Sequence, residues 1–171
     1  MMTKIRPLDY VLAGLLTAAG IFLMIENIVA GDDSSLAHPV STTSWLIVPA
    51  FLLVTVPILG RRWNILAVVG VTLVATALHV LAFDWLTRCG VGLPLAFALG
   101  YAVARFAGSV RNQAIGLAGI VATAIVLLVR DSSTGGVGGG ALIIALVGVA
   151  LFYGAGLVVQ NRVARKQLVS V

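Results

Sequence analysis

A chain with one cysteine, two histidines and six carboxylates in 171 residues holds little of what catalytic and metal sites are made of. The lone Cys89 excludes an internal disulfide and any multi-cysteine metal site. No serine stands in a nucleophile motif with a base, no helix carries His-Glu-x-x-His, and no paired acidic motif marks a phosphotransferase. Charged residues make up only 10% of the sequence, where soluble domains hold about a quarter. No polar stretch is long enough for a large soluble domain. Nor is any basic run interleaved with aromatics, as a single-strand binder needs, so the net charge of +5 does not argue for nucleic acid. These absences predict a protein that is not an enzyme and uses no cofactor or metal.

What is present is hydrocarbon. Apolar residues form 60% of the chain and the mean hydropathy is +1.11. They cluster in blocks of roughly 17–21 residues, the length that crosses about 30 Å of lipid at 1.5 Å per residue. Six spans are expected, at about Tyr10–Ala30, Thr43–Leu59, Asn64–Phe83, Gly90–Ala107, Ala114–Val129 and Ala141–Gln160. Lipid forces each to be helical, because unpaired backbone groups there cost several kcal/mol. The fold class is thus all-α: a polytopic membrane protein with six transmembrane helices and both termini cytoplasmic. Residues 1–9 form the cytoplasmic N-terminus, 10–160 the six-helix bundle and 161–171 a short basic tail. The apolar stretch of the first span exceeds the roughly 7–15 residues of a signal-peptide core, so "NIVAG" is not read as a cleavage site.

Basic residues fix the orientation. Lys4, Arg6, Arg61, Arg62, Arg105, Arg111, Arg162, Arg165 and Lys166 fall on the side of the N-terminus, and only Arg88 and Arg130 on the other. Four of the six acids (Asp32, Asp33, Asp84 and Asp131) join those two. This is the positive-inside pattern of a protein in the plasma membrane. The outer loops are the longer ones. The last, with Gly135, Gly136, Gly138, Gly139 and Gly140, lacks the Lys-Ser/Thr of a nucleotide loop and reads as a linker. Short inner turns make helices two and three, and four and five, neighbours. Pro49 and Pro57 predict a kink in the second span. Ala96, Gly100, Ala104 and Gly108 recur every four residues in the fourth, a face for packing within the bundle or for a homodimer seam.

Two ionisable groups stand inside the expected spans near their outer ends. Glu26 and His79 each lie four residues before the end of a helix, roughly 6 Å down at helical rise. Intramembrane ionisable groups usually face the bundle interior with a partner. Glu26 and His79, with Asp84 or Arg88 near, are therefore candidates for an outward polar pocket that senses protons or a ligand. Hydration of Glu26 at the interface and a structural hydrogen bond from His79 are the plainer alternative. Adding His38 would give a set suited to zinc or copper, although nothing fixes its spacing. Near the inner face, Asp9 and Arg105 are candidates for an ion pair, with snorkelling of Arg105 the alternative.

The order of parts, with "KIRPLDYVLAGLL" opening the first span, "PILGRRWNILAVVGV" at the second turn, "LAFALGYAVARFAG" in the fourth span and "NRVARK" after the last, resembles the multi-pass N-terminal membrane region of actinobacterial two-component sensor histidine kinases. The family's turn commonly has a proline after its arginines, where this chain has Trp63 and Asn64. The kinases also continue into a phosphoacceptor helix and an ATP-binding domain, which these 171 residues do not contain. The resemblance implies a sensor or regulatory protein without kinase domains, acting through helix packing on a membrane or cytoplasmic protein partner. A small-molecule-binding subunit of a transport complex and a ligand-free assembly factor are the other readings.

Overall fold

Proline and small polar residues set the helix starts. In the computed structural model, which describes residues 6–30, 35–137 and 140–169, the chain forms α1 (Pro7–Ala30), α2 (Ile47–Thr55), a 3-10 helix (Val56–Arg62), α3 (Ile65–Phe83), α4 (Cys89–Phe106), α5 (Val110–Val129) and α6 (Ala141–Val169). Lys4, Asp32, Asp33, Gly138, Gly139 and the side chain of Lys166 lie outside the described residues. Pro7 sits at the first position of α1, where its missing N–H costs nothing. Asn64 and Ser109 cap α3 and α5, accepting from Ala67 N (3.1 Å) and Asn112 N (3.3 Å).

Among the described residues every regular element is helical, and the only β-type pairing is an isolated bridge between Leu86 and Asp131. Five helices (α1, α3, α4, α5 and α6) are long and apolar enough to cross a membrane. The second apolar block differs from expectation. Its helix begins at Ile47 rather than Thr43, runs α-helical for nine residues and then tightens into the 3-10 form through Arg62. The change falls at Pro57, which has no N–H to donate back to the preceding turn. The last helix also runs beyond Gln160, so residues 161–169 are a helical continuation of α6.

The helices gather around α4, whose Leu95, Leu99, Ala102 and Val103 are fully buried. α4 packs most extensively on α6, and α3 on α5; the expected α2–α3 and α4–α5 neighbours are present as well. The small residues of α4 serve the α6 contact. Gly100 lies against the Val149 backbone, where an added Cβ would stand 3.2 Å from the carbonyl oxygen. Across the same seam, a Cβ on Gly156 would come within 2.6 Å of Ala104 Cβ and 2.8 Å of Tyr101 O. Ala96 is buried too, whereas Gly108 falls past the helix end at φ +73° and stands outside the stripe. Tyr153 of α6 adds a hydrogen bond to Gln113 Oε1 of α5 (2.6 Å).

Replacing Gly156 by valine is expected to overpack this seam and destabilise the protein by about 1–3 kcal/mol. Gly154→Ala, where an added Cβ meets nothing within 4 Å, should leave stability unchanged. Thermal unfolding in mild detergent separates the two variants.

Candidate functional site

One end of the bundle, here the loop end, is closed by segments 35–46, 84–88 and 130–137. The α3–α4 connection is short, and it turns sharply at Asp84, the only described non-glycine residue with positive φ (+55°). That turn folds residues 84–88 back over the bundle and delivers Arg88 to its interior.

Arg88 has no exposed surface. Its guanidinium is held by neutral acceptors: Nη2 donates to Asp84 O (2.7 Å), and Nη1 to Arg130 O (2.9 Å) and Leu86 O (3.4 Å). Nε donates to His79 Nδ1 (3.1 Å). Because Nδ1 accepts, the His79 proton sits on Nε2, which donates to Ile47 O at the start of α2 (3.3 Å). One imidazole thus links α3, α2 and the buried arginine. Burial pushes the Arg88 pKa down to about 10, against the raising effect of the Asp131 and Asp84 charges, so the group stays charged at neutral pH.

Asp131 supplies the compensating charge. Also fully buried, it accepts at Oδ2 from the backbone N–H groups of Arg88 and Cys89, both at 2.7 Å. It therefore caps α4 from a different loop, where Arg88 itself provides no side-chain cap. Its Oδ1 accepts from Ser133 Oγ (2.6 Å), Ser133 N (3.1 Å) and Thr134 N (3.3 Å). Asp84 and Arg130 form an ion pair nearer the surface. The first loop joins through His38 N to Ser132 O (3.1 Å) and Ser41 N to Trp85 O (2.9 Å), and His38 stacks on Trp85 at 3.9 Å. Asn27 of α1 completes the knot. Its Nδ2 donates to Thr87 O (2.9 Å) and its Oδ1 accepts from Thr87 N (2.7 Å).

Of the residues singled out in the sequence, His79, Arg88 and Asp84 come together and Glu26 does not. Glu26 is exposed beside a small pocket with Leu23, Leu36 and Thr87, and its neighbour Asn27 faces inward instead. The reason is packing: α1 lies on α2, the 3-10 helix and α4, whereas His79 projects from α3. The Asp9–Arg105 pair is likewise corrected. At the opposite end, buried Asp9 accepts from Arg61 Nε (2.9 Å) and Nη2 (2.6 Å), from Arg62 Nε (2.5 Å) and from Arg6 N (2.9 Å). Arg105 instead reaches Tyr101 Oη (3.3 Å) and lies over the Phe106 ring. Arg111, Arg162 and Arg165 are exposed. Sequence reasoning missed Asn27, Arg130 and Asp131. Only Asn27 carried a signal, as an amide at intramembrane depth.

Among the described residues no three of His, Cys, Asp and Glu gather as a metal site, and His38 is far in role from His79: its Nδ1 bonds Pro39 O (2.9 Å). What the arrangement does chemically is bury one positive and one negative charge so that three loops and two helix ends depend on both.

Asp131→Ala should cost about 3–5 kcal/mol, because it strands a buried charge and uncaps α4. Arg88→Met should cost less, and the double variant should recover at least about 1 kcal/mol relative to additivity. Denaturant unfolding of the three variants measures this coupling. Comparison of the chain with protein-family models, curated proteins and solved structures finds no match to any of them.

Proposed function

We propose that this is a six-span, non-catalytic regulatory protein of the plasma membrane, with its loop end outside and both termini in the cytoplasm. The run from Ile47 through Arg62 supplies the sixth crossing. Nine α-helical and seven 3-10 residues extend about 27 Å. Exposed Trp45 and Trp63 flank that run, as aromatic residues do at the two faces of a bilayer. The exposed Arg111, Arg162 and Arg165 on the side away from the loops support the orientation.

The observation that carries the regulatory reading is the length and attachment of α6. Its 29 residues make about 43 Å of continuous helix, some 13 Å more than the hydrocarbon core. It seats on α4, and the α4 N-terminus is held by Asp131 in the outer knot. A change at the knot therefore has a rigid path to the exposed basic turns at Arg162 and Arg165, where a cytoplasmic or membrane partner would read it. Regulation of this kind is a shift between two packings of one bundle. The resemblance to sensor-kinase membrane regions points the same way.

Two measurements test this. In a Cys89→Ala background, Thr43→Cys should react with an impermeant maleimide on intact cells, and Arg111→Cys only after permeabilisation; the reverse result defeats the orientation. With spin labels at Val163 and Arg111, the His79→Gln variant should shift the label distance by about 1–2 Å, the scale of interhelical switching. Identical distances in a folded variant would remove the basis for signalling through α6.

A further inference from the structure

Between α2 and α3 the bundle has a groove of about 820 Å³, far larger than the 170 Å³ pocket beside Glu26. It opens to the side of the bundle, because Leu53, Val74 and Leu78 on its walls are exposed. The sequence makes it in two ways. Pro57 converts the end of α2 to the tighter 3-10 form, and Gly70 leaves open space on the facing wall of α3.

We propose that this groove seats one tail of a membrane phospholipid whose headgroup carries both a phosphate and an ammonium, as in phosphatidylethanolamine. This site goes beyond the regulatory reading and stands without it. Two observations select the occupant. The lining from Gly70 to Phe83 follows about 20 Å of α3, enough for a tail that fills one leaflet of about 15 Å. Its one polar group, His79, has both ring nitrogens engaged, so the groove complements a chain that needs no hydrogen bonds. The walls carry Ala50, Gly70, Ala75 and Ala82 among the larger Leu53, Val74 and Leu78, so a second helix is the competing occupant that the test below distinguishes.

Charge selects the headgroup. Asp84 follows Phe83, the last lining residue of α3, in the chain and pairs with Arg130, their side chains 45% and 50% exposed. A headgroup with one charge of each sign meets one partner of each sign there, with the phosphate at Arg130 and the ammonium at Asp84. A purely anionic headgroup would meet the Asp84 carboxylate.

The test is native mass spectrometry of the full chain, released from nanodiscs of equal phosphatidylethanolamine and phosphatidylglycerol and stripped stepwise with detergent. The wild type should retain one phosphatidylethanolamine after the bulk lipid is gone. Gly70→Leu and, separately, Ala75→Phe fill the groove and should each lower that retained fraction at least ten-fold while the melting midpoint holds. Asp84→Asn should bring the two lipids to parity without loss of the seat. Equal retention by the filled variants, retention of detergent only, no preference between the lipids in the wild type, or a second protein chain held in place of lipid would each overturn the proposal. Should either filled variant fail to fold, quenching of a label at Val74→Cys by a chain-labelled phosphatidylethanolamine, above that by the matching phosphatidylglycerol, reads the same seat. Equal quenching by both would count against it.

Discussion

A guanidinium with no exposed surface must be surrounded by acceptors, and at Arg88 that requirement organises one whole end of the molecule. The acceptors come from the residue that ends α3, from the α3–α4 loop, from the end of α5 and from a histidine one turn down α3. None can move alone without leaving a buried charge short of a partner. Asp131 adds the opposite charge and fastens the α5–α6 loop to the start of α4. Loops that composition alone would leave loose, rich in serine and glycine, are thereby fixed relative to four helices.

The opposite end answers with the reverse charge. Asp9 is buried in the first turn of α1 and draws Arg61 and Arg62 from the end of the 3-10 helix, while Arg62 lies over the Phe106 ring at the end of α4. Between the two clusters the contacts are apolar, apart from threonines such as Thr17 and Thr55, which share a hydrogen bond across α1 and α2 at 3.2 Å. An apolar interior gives close packing but little directional information within lipid, where tails are as apolar as leucine. The register of the helices is instead specified by the buried charges at each end and by the backbone approach at Gly100 and Gly156 between α4 and α6.

Much of this was legible in the sequence. Apolar blocks of membrane length located the five long helices, with bounds within a few residues except at the end of α6, which runs on to Val169, and the depth of His79 marked it as an interior polar group. The same reasoning failed where position depends on which helices touch. Glu26 and His79 lie at one depth, but α1 and α3 are not principal neighbours, so equal depth did not mean contact. Arg88 was placed near His79 at the end of the helices, but its complete burial was not legible. Only the turn at Asp84, with its positive φ, sends it inward. Asp131 was hidden in a segment whose glycines read as a linker, and nothing local signals that its carboxylate caps a helix 42 residues earlier. Pro57 did predict an interruption of the second span. The form it takes includes a change of helix type, from α to 3-10, at that point.

His79 joins the two proposals physically. Its Nδ1 belongs to the knot and its Nε2 bonds Ile47 O of α2, while the ring itself lines the groove that we assign to a lipid tail. Separation of α2 from α3 would stretch the Nε2 bond and turn the ring, and a turned ring no longer presents Nδ1 to Arg88. The cost of that loss falls on a buried charge, so it is large compared with an ordinary hydrogen bond. In the regulatory reading proposed above, a small change in helix spacing would in this way be converted into a discrete rearrangement of the loops at this end. Asp131 ties those loops to α4, and α4 carries α6. In a bundle built otherwise from interchangeable apolar contacts, such a polar linkage is the element able to distinguish one packing from another.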